Sequence, residues 1–131
     1  MKVVALDFGR ARTGVAVSDP TGTIATPLGV VDRAATAAGL TELARLIAEQ
    51  EAERVVVGLP LTLRGERGEQ ALETERFVEA LAAVTDVPVV TFDERFTTDL
   101  AEQAPARAPE DARAAAHLLS SYLTWTSGAR A

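Results

Sequence analysis

The sequence has no cysteine, which excludes disulfides and thiolate metal sites and is compatible with a cytoplasmic protein. No apolar run approaches the roughly 20 residues that a membrane-spanning helix needs, so no membrane partner is expected. No basic stretch or cleavage site precedes the first apolar run, and no signal peptide is expected. Lysine is nearly absent: Lys2 is the only one among 13 basic residues, set against 19 acidic ones for a net charge of -6. That balance excludes a general nucleic-acid sponge, because phosphate binding is driven by Lys and Arg contacts. Binding through a local arginine cluster stays open, particularly if metal ions offset the carboxylates. What is present is a 47% hydrophobic chain of 131 residues, which excludes a mostly disordered protein and suffices for one domain with a proper core. We expect that domain over residues 1–126, with a frayed tail over 127–131.

In chain order, an apolar strand over 2–8 is followed by a short turn at Gly9, Arg10 and Ala11, then a second strand over 12–18. Asp19-Pro20-Thr21-Gly22 is a turn signal, and a third strand follows over 23–31. Pro27 within it argues for a sheet edge, since proline cannot donate to the ladder. A helix over 36–52 carries Leu40, Leu43, Ala44 and Ile47 at helical spacing. The run 54–60 is wholly apolar after its arginine, as in parallel sheets. A glycine- and arginine-bearing loop over 61–68 leads into a helix over 69–84, with Thr74, Phe77, Val78, Leu81 and Val84 inward. A last strand over 87–92 ends at Asp93 and Glu94; Thr97 or Thr98 then caps a short helix with Asp99 and Glu102 in its first turn. After a Pro/Ala linker over 103–109, a final helix runs from Pro109 to about Trp125.

The order βββ-α-β-α-β-α predicts an α/β fold: a five-stranded mixed sheet, order 3-2-1-4-5, with strand two antiparallel and helices on both faces. The carboxyl ends of strands one and four then form the switch point where open α/β sheets bind ligands. Asp7 lies there, in an apolar run where a charge needs a compensating salt bridge, hydrogen-bond donor or metal ion. Asp93 and Glu94 leave the last strand on the same edge. Asp111 heads a helical stripe with Ala115, Leu118, Leu119 and Tyr122. Like charges so gathered repel unless a cation intervenes, and oxygen ligands without Cys or His suit Mg²⁺ or Mn²⁺. Two such ions about 4 Å apart clamp the attacking water and leaving oxygen in phosphodiester hydrolysis. The bland alternatives are a helix-start role for Asp111, a surface pair of Asp93 or Glu94 with Arg95, and an Asp7–Arg12 bridge across the hairpin. Gly9 and Gly14 serve either phosphate approach or close packing. Gly58, Pro60, Arg64, Gly65 and Arg67 place an arginine-bearing loop at the switch point. His117, Tyr122 and Trp125 read as packing residues of the last helix rather than ligands or base-stacking groups.

Four motifs carry a family resemblance over nearly the whole chain. They are Leu6-Asp7-Phe8-Gly9 with Arg12 and Gly14 to Asp19; Val57-Gly58-Leu59-Pro60-Leu61 with Gly65; Asp93-Glu94-Arg95-Phe96-Thr97-Thr98 with Ala101-Glu102; and Asp111 with Ala114-Ala115, Leu118-Leu119 and Tyr122-Leu123. Together they resemble the YqgF/RuvX family, described as Holliday junction resolvases and as pre-16S rRNA processing nucleases. The resemblance implies an RNase H-like fold and a cytoplasmic, Mg²⁺- or Mn²⁺-dependent nuclease. Its expected partners are structured nucleic acid (an rRNA precursor or branched DNA), ribosomal assembly intermediates and, for symmetric cutting, a second copy of the chain. It carries the catalytic role onto Asp7, the Asp93-Glu94 pair and Asp111, with Asp7, Glu94 and Asp111 toward the metal; which of Asp93 and Glu94 binds stays open. Arg10, Arg12, Arg64, Arg67 and Arg95 are the expected phosphate contacts. Segment 103–110 is shorter than the family's usual stretch and lacks its lysines. A non-catalytic RNA-binding module on the same fold is the alternative. Asp7-Phe8-Gly9 with Gly14 also resembles the first phosphate loop of actin/hexokinase-type phosphotransferases, which need two such domains.

Overall fold

The computed structural model describes residues 1–97 and 108–129. Strands β1 (Val3–Asp7), β2 (Arg12–Ser18), β3 (Ala25–Asp32), β4 (Arg54–Leu59) and β5 (Val89–Asp93) form one sheet in the order β3-β2-β1-β4-β5. β1 is antiparallel to β2 and parallel to β4, and β4 is parallel to β5. This is the expected order. β3 forms one edge, where Pro27 stands opposite Ala16 beside a register shift that leaves Leu28 of β3 as the extra residue. It starts at Ala25 rather than at 23, because the Asp19 carboxylate accepts hydrogen bonds from the N–H groups of Thr23 and Ile24, both at 2.8 Å, and holds them in the turn.

The period-two alternation divides the core between two faces. Val4, Leu6, Val15, Val55 and Val57 point to one face, against Leu43 and Ile47 of α1 (Ala37–Glu49) and Phe77 and Leu81 of α2 (Glu69–Ala82). Val3, Ala5, Ala16 and Val56 point to the other, against Ala115, Ala116, Leu118, Leu119 and Tyr122 of α3 (Glu110–Ala129). Each fully buried Val or Leu contributes about 1.5–3 kcal/mol, so both faces specify the register. Asp7 is an odd-numbered residue of β1 and so falls on the α3 side.

Local chemistry sets the helix ends. The Thr36 hydroxyl caps α1, accepting from the Gly39 N–H at 3.1 Å. α2 stops at Ala82, and the Val84 N–H turns back to the Leu81 carbonyl; Val84 is 47% exposed, not inward as its spacing predicts. α3 continues through Ala129, past the expected end near Trp125 and into the expected tail. The Thr126 hydroxyl donates to the carbonyls of Tyr122 and Leu123 in that extension. Tyr122 is buried and its hydroxyl accepts from Arg54 at 3.0 Å. Trp125 is 54% exposed and stacks on Phe96 with ring centroids 5.0 Å apart. His117 is half-buried, with its Nε2 buried and unbonded among the described residues. β5 exits into a single 3₁₀ turn, Glu94–Phe96. The short helix expected after Thr97 or Thr98, with Asp99 and Glu102, and most of the linker expected over 103–109 lie outside the described residues.

Candidate active site

Two glycines build the surroundings of Asp7, one on each neighbouring strand. Gly14 of β2 is the register partner of Asp7. A Cβ there would fall inside the carbonyl oxygen of Asp111 and within 2.9 Å of the Ala112 nitrogen. The first turn of α3 therefore sits directly on β2, and only glycine leaves room for it. On the other side Gly58 follows Val57, the β4 partner of Leu6. A Cβ at Gly58 would lie 2.6 Å from Glu94 Oε1 and 3.0 Å from its Cγ. Glu94 crosses this gap to reach Asp7. Both glycines are gaps through which a second and a third carboxylate approach the first, and for Gly14 this is the close-packing alternative that its spacing left undecided.

The electrostatics follow from that crowding. Burial raises the proton affinity of Asp7, and the charge of Asp111 adds to it, while a hydrogen bond from Glu94 acts in the opposite direction. Burial also pushes Glu94 up to about 7, helped by the Asp7 charge and by the hydrogen bond in which the protonated Glu94 carboxyl donates to Asp7. Both shifts favour keeping a proton on the pair, held in the Glu94–Asp7 hydrogen bond. Asp111 is balanced differently: Arg12 Nε lies 3.1 Å from its Oδ2. The Arg12 bridge expected as a rival partner for Asp7 is made to Asp111 instead.

Asp93 does not join the set. Its carboxylate accepts from the Arg95 backbone N–H at 2.9 Å and from the Arg95 guanidinium at 2.6 Å, and that arginine holds its pKa below the usual range. Asp93 thereby caps the 3₁₀ turn, which rotates the next side chain, Glu94, toward Asp7. Arg95 in turn reaches the Leu63 carbonyl at 3.5 Å and lies over Gly65, whose φ of 81° sets the bend of the crossover loop. Gly9 makes the tight exit turn, where a Cβ would meet the Arg12 carbonyl at 2.5 Å. The Thr97 hydroxyl is buried without a hydrogen-bond partner among the described residues; Thr98 lies outside them.

A cleft of about 540 Å³ opens beside the two coupled acids, lined by Asp7, Gly9, Arg10, Pro60 and Glu94. Its far wall is the first turns of α2, with Glu69, Gln70, Glu73 and Thr74. The sequence reading missed this wall. Acids at 69 and 73, one helical turn apart after the switch-point loop, are the signal that could have found it. Of the five arginines expected to meet phosphates, four hold carboxylates: Arg10 with Glu73, Arg12 with Asp111, Arg67 with Glu75 and Arg95 with Asp93. Arg64 is exposed and has no ion pair among the described residues.

No three Asp, Glu or His side chains among the described residues are gathered tightly enough to hold an ion as they stand. The donor chemistry nevertheless fits a hard divalent cation. Asp7 and Glu94 are hydrogen-bonded acids whose raised proton affinity a cation would relieve, and Asp111 carries the Arg12 guanidinium. No described helix is long and apolar enough to cross a membrane.

Comparison with known proteins places the chain. The family model RuvX, described as Holliday junction resolvase, matches residues 1–125. A Chloroflexus aggregans protein named as a candidate pre-16S rRNA nuclease is 46% identical over 130 residues, covering 92% of each chain. A Syntrophomonas wolfei protein of the same name is 36% identical over 132 residues, covering 94% of each. Among solved structures, Thermus thermophilus RuvC in complex with a Holliday junction substrate superposes with a TM-score of 0.70 at 16% identity, covering 98% of this chain and 96% of that one. The fowlpox virus Holliday junction resolvase gives 0.56 at 12% identity, covering 95% and 99%. These distant structures establish the fold, which is RNase H-like. With a family match over residues 1–125 and relatives of this identity spanning nearly their full length, the chain belongs to the RuvX family.

Proposed function

We propose that this protein is a divalent-metal-dependent nuclease that hydrolyses phosphodiester bonds in structured nucleic acid, with Asp7, Glu94 and Asp111 as its metal-holding carboxylates. The observation that carries this reading is the convergence of Asp7 and Glu94, hydrogen-bonded to each other and partly buried, with Asp111 beside them, at the switch point of the sheet. Acids kept this close repel one another, and they would fit a site in which one or two Mg²⁺ or Mn²⁺ ions take the place of the proton and of Arg12. When bound, such ions neutralise charge on the scissile phosphate and make water a competent nucleophile at neutral pH. Asp7, on the central strand, anchors the set. Glu94 would hold the ion as its carboxylate. Arg12 would be free to turn from Asp111 to phosphate, and Arg10, Arg64, Arg67 and Arg95 are the other proposed phosphate contacts at the rim. Asp93 acts through Arg95, by fixing the 3₁₀ turn that aims Glu94.

The names of the relatives favour an rRNA precursor as substrate, and the family description favours branched DNA. These substrates fit a cytoplasmic protein whose partners include ribosomal assembly intermediates, and a junction cut symmetrically calls for a homodimer. The deciding experiment is one cleavage panel of 5′-extended structured RNA, single strands and four-way DNA junctions, under Mg²⁺ and under Mn²⁺. Wild type cuts one class and Asp7→Asn cuts none. Full cleavage by a folded Asp7→Asn protein would sink the assignment. A binding module without catalysis is the second reading, supported by Arg12 standing on Asp111. Calorimetric titration showing no uptake of divalent ions would favour it.

A further inference from the structure

The α2 wall of the cleft is acidic, and Arg10, the hairpin arginine that lines the cleft, is ion-paired with Glu73 of that wall, so free positive charge begins beyond Arg10 and gives the substrate a direction. Glu69 and Glu73 line the α2 side. On the other side, Arg10 belongs both to the cleft and to a second hollow of about 380 Å³, whose other lining residues include Ala11, Arg33 and Thr36. The two hollows therefore adjoin through one arginine. The Arg33 N–H donates to the Ala11 carbonyl at 2.9 Å, which ties the end of β3 to the exit turn of β1. The Thr36 hydroxyl donates to the Arg33 carbonyl at 2.7 Å and fixes the other end of the turn. Arg33 is exposed on this pinned backbone and has no ion pair among the described residues. Asp32 is the neighbouring acid, opposite Arg12 in the ladder.

We propose that nucleic acid leaves the carboxylate cleft over the rim between β2 and β3, and that Arg33 is a phosphate contact there, one step beyond Arg10. The proposal rests on the nucleic-acid reading above. Phosphates are repelled by Glu69 on the α2 wall and drawn to Arg33, whose charge no carboxylate offsets among the described residues, whereas Arg10 shares its charge with Glu73. A fixed backbone presents the guanidinium with less freedom to lose on binding than a loop tip would.

The backbone of Arg33 supplies an unusually clean test. Its φ of 46° lies in the left-handed region that favours glycine, so Arg33→Gly removes the side chain without straining the turn. Binding of a fluorescent 5′-extended RNA hairpin and of a four-way DNA junction is measured by anisotropy in Ca²⁺ across a salt series. Arg33→Lys and Arg45→Ala are run in parallel; Arg45 lies on α1, paired with Glu42 and Glu49. For Arg33→Gly the slope of log K against log salt should fall in magnitude by about 0.7 on single strand or 0.9 on duplex, one phosphate contact. Arg33→Lys should keep the slope, and Arg45→Ala should match wild type. A wild-type slope in Arg33→Gly overturns the proposal alone, as does an equal loss in Arg45→Ala, which would mean only that net charge matters. If wild type binds neither probe, the nucleic-acid reading falls with it.

Discussion

At the scale of single residues, the coupled acids Asp7 and Glu94 make a measurable claim on stability. The folded-state pKa of Glu94 is raised from 4.5 to about 7, so the folded protein binds a proton that the unfolded chain releases earlier. That contribution is complete below the unfolded pKa and is lost as pH rises through about 7. Without divalent ions, the melting temperature should therefore fall by a few degrees between pH 5 and pH 8, and Glu94→Gln should remove most of the slope. A flat wild-type profile in EDTA would show that the two acids are not coupled. Asp93 and Glu94 are adjacent yet should separate by function. Glu94→Gln should lower cleavage by about 100-fold or more. Asp93→Asn, which loosens the Arg95 brace outside the site, should lower it by about 10-fold. Initial rates at saturating substrate measure both, and equal losses would return Asp93 to the metal site.

At the scale of elements, the site is a matter of how closely three backbones approach, and the two glycines beside Asp7 test this in different ways. A methyl group at Gly14 meets the backbone of Asp111 and Ala112, which cannot rotate away. Gly14→Ala should therefore lift the start of α3 off the sheet and destabilise the protein by about 3 kcal/mol, a drop of roughly 10 °C in thermal melting. A methyl at Gly58 meets only the side chain of Glu94. Gly58→Ala should melt within a few degrees of wild type while losing most of its cleavage, because Glu94 is turned away from Asp7. The reverse pattern would mean that Glu94 is a structural residue. The same geometry shows what was legible beforehand. Asp7 was visible as a charge in an apolar run, and Asp111 as the head of a helical stripe. Which of Asp93 and Glu94 reaches Asp7 was not visible, since it depends on a 3₁₀ turn capped by Asp93 itself. Nor were the pairings of Arg10 with Glu73 and of Arg12 with Asp111, because each partner is supplied by tertiary packing and no local pattern announces it.

At the scale of the whole molecule, the alternation of strands and helices, with right-handed crossovers, was enough to order the sheet. Helix ends were less legible, as Val84 and the extension of α3 show, because single hydrogen bonds decide them. Charge is the whole-molecule property with a consequence for function. The chain carries a net -6, and of the arginines expected to bind phosphate, Arg10, Arg12, Arg67 and Arg95 are engaged with the protein's own carboxylates. A polyanion approaching such a surface without counter-cations meets repulsion at Asp7, Glu94, Glu69 and Glu73 and little free positive charge. Divalent ions held at the carboxylates would reverse the sign of the cleft floor and release Arg12. Affinity for structured RNA should therefore rise by about 10-fold or more on replacing EDTA with millimolar Ca²⁺ at constant ionic strength, measured by fluorescence anisotropy. Asp7→Asn should lose most of that gain while keeping the weak EDTA-state binding. A wild-type affinity indifferent to Ca²⁺ would mean that the arginines alone hold the substrate and that the carboxylates take no part in binding it.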